Sequence, residues 1–132
     1  QLRRNGRGSY GGGPVRFDLA RNWLLMEALL SAPELTVQHV FVNRALRASL
    51  LRHGRRSGAS AELLERAARV ILPPLGSSHP HLNHFHVRIY CPADDIGAAD
   101  GVPGCRDRGP FFPWLPVDHP FAPASAHPSR AP

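Results

Sequence analysis

Four imidazoles crowd into eight residues of this chain, at His79, His81, His84 and His86. Neutral imidazole is a common zinc ligand, and a catalytic zinc takes about three protein ligands and keeps a fourth position for water, whose pKa it lowers towards 7. An imidazole left off the metal can polarise a carbonyl or move a proton. From Asn83 to Tyr90, Phe85, Val87 and Ile89 alternate with His84, His86, Arg88 and Tyr90, the period-two pattern of a half-buried strand. Side chains at i and i+2 of a strand share a face, so His84 and His86 are expected to project in parallel, at a separation that suits one metal ion or its bound water. His81 stands three residues before His84, where the chain enters the strand, and can reach over the same face. Phe85, Val87 and Ile89 are expected in the core behind them. A solvated or adventitiously metal-binding histidine loop is the competing reading, and the clean opposition of a polar and an apolar face favours the site.

The other candidate groups carry weaker signals. Arg88, on the histidine face, can orient a substrate carboxylate through its planar fork or serve as a cross-strand salt-bridge residue. His39 reads as packing beside Val37 and Phe41, and His53 as a positive group at a helix C-terminus. Cys91 and Cys105 are too far apart for a CxxC pair. They suit either two free thiols or one bridge closing a Pro- and Gly-rich loop, which would contribute about 3 kcal/mol in the chain-entropy model and imply an oxidising compartment.

The elements that must position these groups follow from periodicity and punctuation. Asp18 caps a helix whose Leu19, Trp23, Met26 and Leu30 form an apolar stripe that stops before Pro33. LTVQHVFV, Leu35 to Val42, reads as a mostly buried strand, with Val37, His39 and Phe41 on one face and Gln38, Val40 and Val42 on the other. Asn43 caps a second helix through Leu46 and Leu50, expected to end near His53 and Gly54, with Gly54 supplying the left-handed terminal residue. Ser60 caps a third helix through Leu64, Ala68 and Ile71, which Pro73 and Pro74 terminate. The order predicts an α+β domain with a small, antiparallel and incomplete sheet and flanking helices. Residues 1–15 read as a flexible remnant, 16–109 as the domain, and 110–132 as a Pro-rich tail on which Phe111, Phe112 and Trp114 can dock.

Bulk composition narrows the classes. A chain of 132 residues suits one domain. All 16 basic residues are Arg, and the net charge of +6 favours anionic polymers without choosing among them. No recognised motif interleaves aromatics with Arg, so no specific nucleic-acid partner is expected. No stretch approaches the roughly 20 apolar residues of a membrane span.

Ser78, His81, the run NHFHVRIYCPADD from Asn83 to Asp95, and Gly104-Cys105 resemble the penicillin-insensitive murein endopeptidases. These are bacterial zinc peptidases related to lysostaphin-type and D-alanyl-D-alanine metallopeptidases. The similarity extends upstream through FDLARNWLLMEALL and VQHVFVNRALRASLL, over roughly residues 16 to 115. The resemblance implies that His86 is a zinc ligand, that His81 and His84 flank the metal and assist catalysis, and that Cys91 and Cys105 form a disulfide. It implies an exported, periplasmic enzyme that hydrolyses peptide cross-links of peptidoglycan. In that family zinc-bound water attacks the amide carbonyl while the metal and a histidine stabilise the oxyanion.

One family feature is missing. The other two zinc ligands come from a His followed seven positions later by an Asp. The residues seven before Asp18, Asp94, Asp95, Asp100, Asp107 and Asp118 are Gly11, Val87, Arg88, Ala93, Asp100 and Phe111. Two accounts fit: the chain starts after that motif, in keeping with its non-Met start, or it is a degenerate paralogue. Because one family ligand cannot hold catalytic zinc tightly, the chain alone is expected to be inactive. The alternative function is a non-catalytic module that binds peptidoglycan or another anionic polymer.

Overall fold

In the computed structural model the described residues are 7–10, 13–32, 35–74, 84–92, 95–96, 104–116, 118–120 and 122. Strands β1 (Arg7–Tyr10) and β2 (Gly13–Arg16) are followed by α1 (Leu19–Ser31), β3 (Val37–Phe41), α2 (Arg44–Arg56), α3 (Ala61–Val70), β4 (Ile71–Leu72) and β5 (His86–Ile89). The chain divides into two compact units, Gln1–Arg88 and Ile89–Pro132.

All three helices start where their capping side chains dictate. Asp18 Oδ1 accepts from the Arg21 N–H at 3.0 Å, Asn43 Oδ1 from Ala45 at 2.9 Å and Ser60 Oγ from Leu63 at 3.1 Å. Each side-chain oxygen satisfies one N–H that has no partner within the helix. Trp23, Met26 and Leu30 of α1 are buried, as their spacing predicts, and meet the Leu46, Leu50 and Gly54 face of α2 and the Ala67 and Val70 face of α3. Fully burying one such Val, Leu or Met side chain contributes about 1.5–3 kcal/mol, so this three-helix packing dominates the first unit.

Helix α2 departs from expectation. It does not end at Gly54 but continues to Arg56, and Gly58, at φ 85°, supplies the left-handed residue beyond it. Gly54 stays inside the helix because it faces the Trp23 ring, where a Cβ would collide with Cε2 at 2.6 Å.

The second sheet has the order β4–β3–β5. The α+β class is as expected, but the sheet is mixed rather than antiparallel. Strands β3 and β4 run parallel, pairing Val40 with Ile71 and Phe41 with Leu72, because two helices and not a tight turn connect them. Ile71, expected at the end of a helix, begins β4 instead. On β3 the Gln38, Val40 and Val42 face is buried, whereas His39 and Phe41 are half-buried. Arg47 of α2 ties the layers together by donating from Nη2 to Ala68 O, at 2.8 Å, and from Nε to Ile71 O. It thereby satisfies carbonyls at the end of α3.

Within the segment read from the sequence as a flexible remnant, β1 and β2 pair antiparallel, Arg7 with Arg16 through to Tyr10 with Gly13. The signal available was the Gly-Gly dipeptide at 11 and 12, a composition favoured in two-residue hairpin connections.

The second unit is organised around Tyr90 and Cys91, which are both buried together with Phe112, Leu115 and His119. Tyr90 was expected to face outward with the histidines. It turns inward because its ring is apolar and its hydroxyl has partners: it donates to Pro110 O at 2.6 Å and accepts from the Phe112 N–H at 3.3 Å.

Candidate functional site

Strand β5 begins at His86, so His84 lies just before it, exposed. His86, Val87, Arg88 and Ile89 are all exposed, with Val87 at 37% and Ile89 at 50%. The expected burial of Val87 and Ile89 is therefore not found. The strand stands at the edge of its sheet, and alternation in sequence cannot tell a covered face from an open one. Phe85 is half-buried, edge-on to Phe17 with ring centroids 6.1 Å apart.

One of the sequence candidates, His86, is linked to a further histidine through Phe41. The His86 ring lies edge-on to Phe41 at 5.9 Å, and Phe41 is tilted against His39 at 5.4 Å. Residues i and i+2 share a strand face, so His39 and Phe41 of β3 and His86 and Arg88 of β5 occupy one side of the sheet. Burial first, and the nearby Arg88 guanidinium second, hold the His39 pKa below its ordinary value of 6.5. His39 was read from the sequence as a packing residue only. Its position on the Phe41 face of β3 was legible, but its meeting with Arg88 required strands far apart in the chain to be paired.

His81 lies outside the described residues, as do Ser78, Asn83 and Asp94. Among the described residues no three His, Cys, Asp or Glu side chains are grouped so as to hold a metal ion. His84 and His86 thus do not by themselves fit a catalytic zinc, which takes about three protein ligands.

Cys91 and Cys105 are joined by a disulfide with S–S 2.03 Å. The Cys91 backbone is held as well, by hydrogen bonds on both of its polar groups. Its N–H points into the Asp107 carboxylate, at 3.1 and 3.0 Å from the two oxygens, and its carbonyl lies 3.1 Å from His119 Nε2. A carbonyl only accepts, so Nε2 carries the hydrogen. Asp107 Oδ2 is 3.9 Å from the same nitrogen, and both side chains are almost fully buried. The sequence reading missed Asp107 and His119, since a lone Asp and a His in a Pro-rich segment give no periodic signal.

Among the described residues no helix is long and apolar enough to cross a membrane. No family model, curated protein or solved structure matches this chain.

Proposed function

We propose that this chain carries the histidine strand of a zinc-dependent endopeptidase that hydrolyses peptide cross-links of peptidoglycan in the periplasm or another exported setting. The observation that supports it most is the Cys91–Cys105 bridge, which closes directly after the strand of His86 and Arg88. It is the pairing implied by the resemblance of NHFHVRIYCPADD to murein endopeptidases, and disulfides persist in oxidising compartments. In this reading His86 is a metal ligand, His84 and His81 assist catalysis, and Arg88 binds substrate.

A second reading is a non-catalytic module that keeps the fold and binds peptidoglycan or another anionic polymer, and the surface of α2 supports it. Arg44, Arg52, Arg55 and Arg56 of α2 are exposed, and α2 contains no acidic residue. Such a surface attracts polyanions.

Purified peptidoglycan incubated with the chain, with and without added zinc, separates the two. The enzyme reading expects new free amino groups in the soluble fraction, 1:1 zinc binding by calorimetry, and loss of both in His86→Ala. Sedimentation of the chain with peptidoglycan, without release of amino groups and unchanged in His86→Ala, would establish the binding module instead.

A further inference from the structure

Helix α2 concentrates positive charge on the side it turns to solvent. Its exposed residues are Arg44, Ala45, Ala48, Arg52, Arg55 and Arg56. At about 100° per residue they fall within about 120° of the helix circumference, and Arg44 and Arg56 stand about 18 Å apart along the axis. None of these arginines forms an ion pair among the described residues, and Arg52 Nη2 lies 3.5 Å from Ser49 Oγ of its own helix. No Asp or Glu occurs from Leu35 to Ala61.

Helix stability does not account for the row. The last turn of a helix favours the positive charge of Arg55 and Arg56, but Arg44 is the first residue of α2, where the macrodipole disfavours a cation and no acidic side chain compensates. Arg52 and Arg56 are four positions apart, a like-charge spacing that weakens a helix. Local costs without a local return are the pattern of a surface that meets a partner.

The chemistry of the face selects that partner. Guanidinium forks match phosphate oxygens and stay charged throughout the physiological pH range. Ala45 and Ala48 are small, so no other exposed side chain of α2 extends as far as the arginines. The exposed face carries no aromatic on which a nucleic-acid base could stack. The Cys91–Cys105 bridge suits an oxidising compartment, where membranes present phosphate and nucleic acid is scarce.

We propose that the exposed face of α2 bearing Arg44, Arg52, Arg55 and Arg56 is a docking surface for the phosphate headgroups of an anionic phospholipid bilayer. No large apolar side chain of α2 is exposed, so the helix rests on the headgroups without inserting, and salt that screens the charges releases it. This rests on the same α2 surface as the binding-module reading and names a different partner for it.

The test is sedimentation of the full chain with phosphatidylcholine vesicles, with and without about one-third phosphatidylglycerol, at about 0.05 M and about 0.5 M salt. Binding is expected only to the vesicles containing phosphatidylglycerol, and only at the lower salt. Each arginine near an anionic surface contributes about fivefold in affinity, so Arg44→Gln combined with Arg55→Gln should weaken binding about 25-fold. Arg21→Gln combined with Arg69→Gln removes the same net charge from residues already paired with carboxylates, and should weaken binding less than about threefold. All four positions are exposed, and circular dichroism checks that each variant keeps its helices. Equal weakening by the two double variants, binding to phosphatidylcholine alone, or no binding at all overturns the docking face. Tighter binding of duplex DNA than of the anionic vesicles, at equal phosphate and salt, overturns the assignment to lipid. No peptidoglycan is present, so failure here leaves the peptidase and binding-module readings to their own experiment.

Discussion

Gly54, in the middle of α2, lies directly against the indole of Trp23 in α1, where no side chain fits. Glycine inside a helix costs about 1 kcal/mol relative to alanine, so replacing it should ordinarily stabilise. Here the added Cβ would drive into a ring that is itself 3% exposed and cannot move aside without disturbing the α1–α2 contact. Overpacking of this kind costs about 1–3 kcal/mol. Gly54→Ala is expected to lower the urea midpoint, and the double variant Gly54→Ala, Trp23→Leu to recover part of the loss. A midpoint raised by Gly54→Ala would mean the two helices are spaced further apart.

Arg47 holds two carbonyls at the junction of α3 and β4. Hydrogen bonds from a charged group contribute about 1.5–3 kcal/mol, and leaving partly buried carbonyls without them is costly. Arg47→Met, which keeps much of the aliphatic stem, should destabilise the chain by about 2 kcal/mol. Arg44→Met, at an exposed position on the same helix, should change it by less than about 0.5 kcal/mol. Similar midpoints for the two variants would remove Arg47 from any structural role.

Asp107 should control the order of the second unit. Its carboxylate accepts from the Cys91 N–H, and Asp107→Ala would leave that buried donor without it, at about 1–3 kcal/mol. Hydrogen exchange is the apt readout, because the chain has two compact units and a single global midpoint need not report both. The Cys91 amide is expected to exchange roughly tenfold faster or more in Asp107→Ala, with the Leu50 and Val70 amides of the first unit unchanged. Unchanged protection at Cys91 would show that the disulfide alone holds this segment.

His39 sets a pH dependence whose sign is fixed. Its folded pKa lies below the ordinary 6.5, so between those values the unfolded chain binds more protons than the folded one. Stability therefore rises with pH through that window and falls as pH drops below 6.5. The urea midpoint is expected to be lower at about pH 5 than at about pH 7.5, and His39→Gln should remove part of that difference. If His39→Gln leaves the difference intact, the imidazole is not the group responsible.

Much of the first unit is legible in the sequence. The three N-caps, the α1 stripe and the buried Val40 of β3 and Val42 just after it follow from local chemistry, since caps and periodicities are set by residues within one turn or one strand. Parallel pairing of β3 with β4 was not legible, because it depends on how α2 and α3 return the chain. Nor was the openness of β5: an alternating sequence needs a partner layer to become a core, and Val87 and Ile89 remain exposed.

The sequence by itself determined the three helices, strand β3, the α+β class and the clustering of His84, His86 and Arg88 near Cys91. These depend on separations of a few residues, over which backbone geometry leaves few choices. The Cys91–Cys105 bridge implied by the resemblance is found, whereas only the tertiary structure decided that Asp107 and His119 grip the Cys91 backbone, and that Gly54 makes room for Trp23. It alone brought the Arg88 guanidinium near His39. Each of these joins residues 14 or more positions apart, and which distant surfaces meet is settled by the packing of the whole chain.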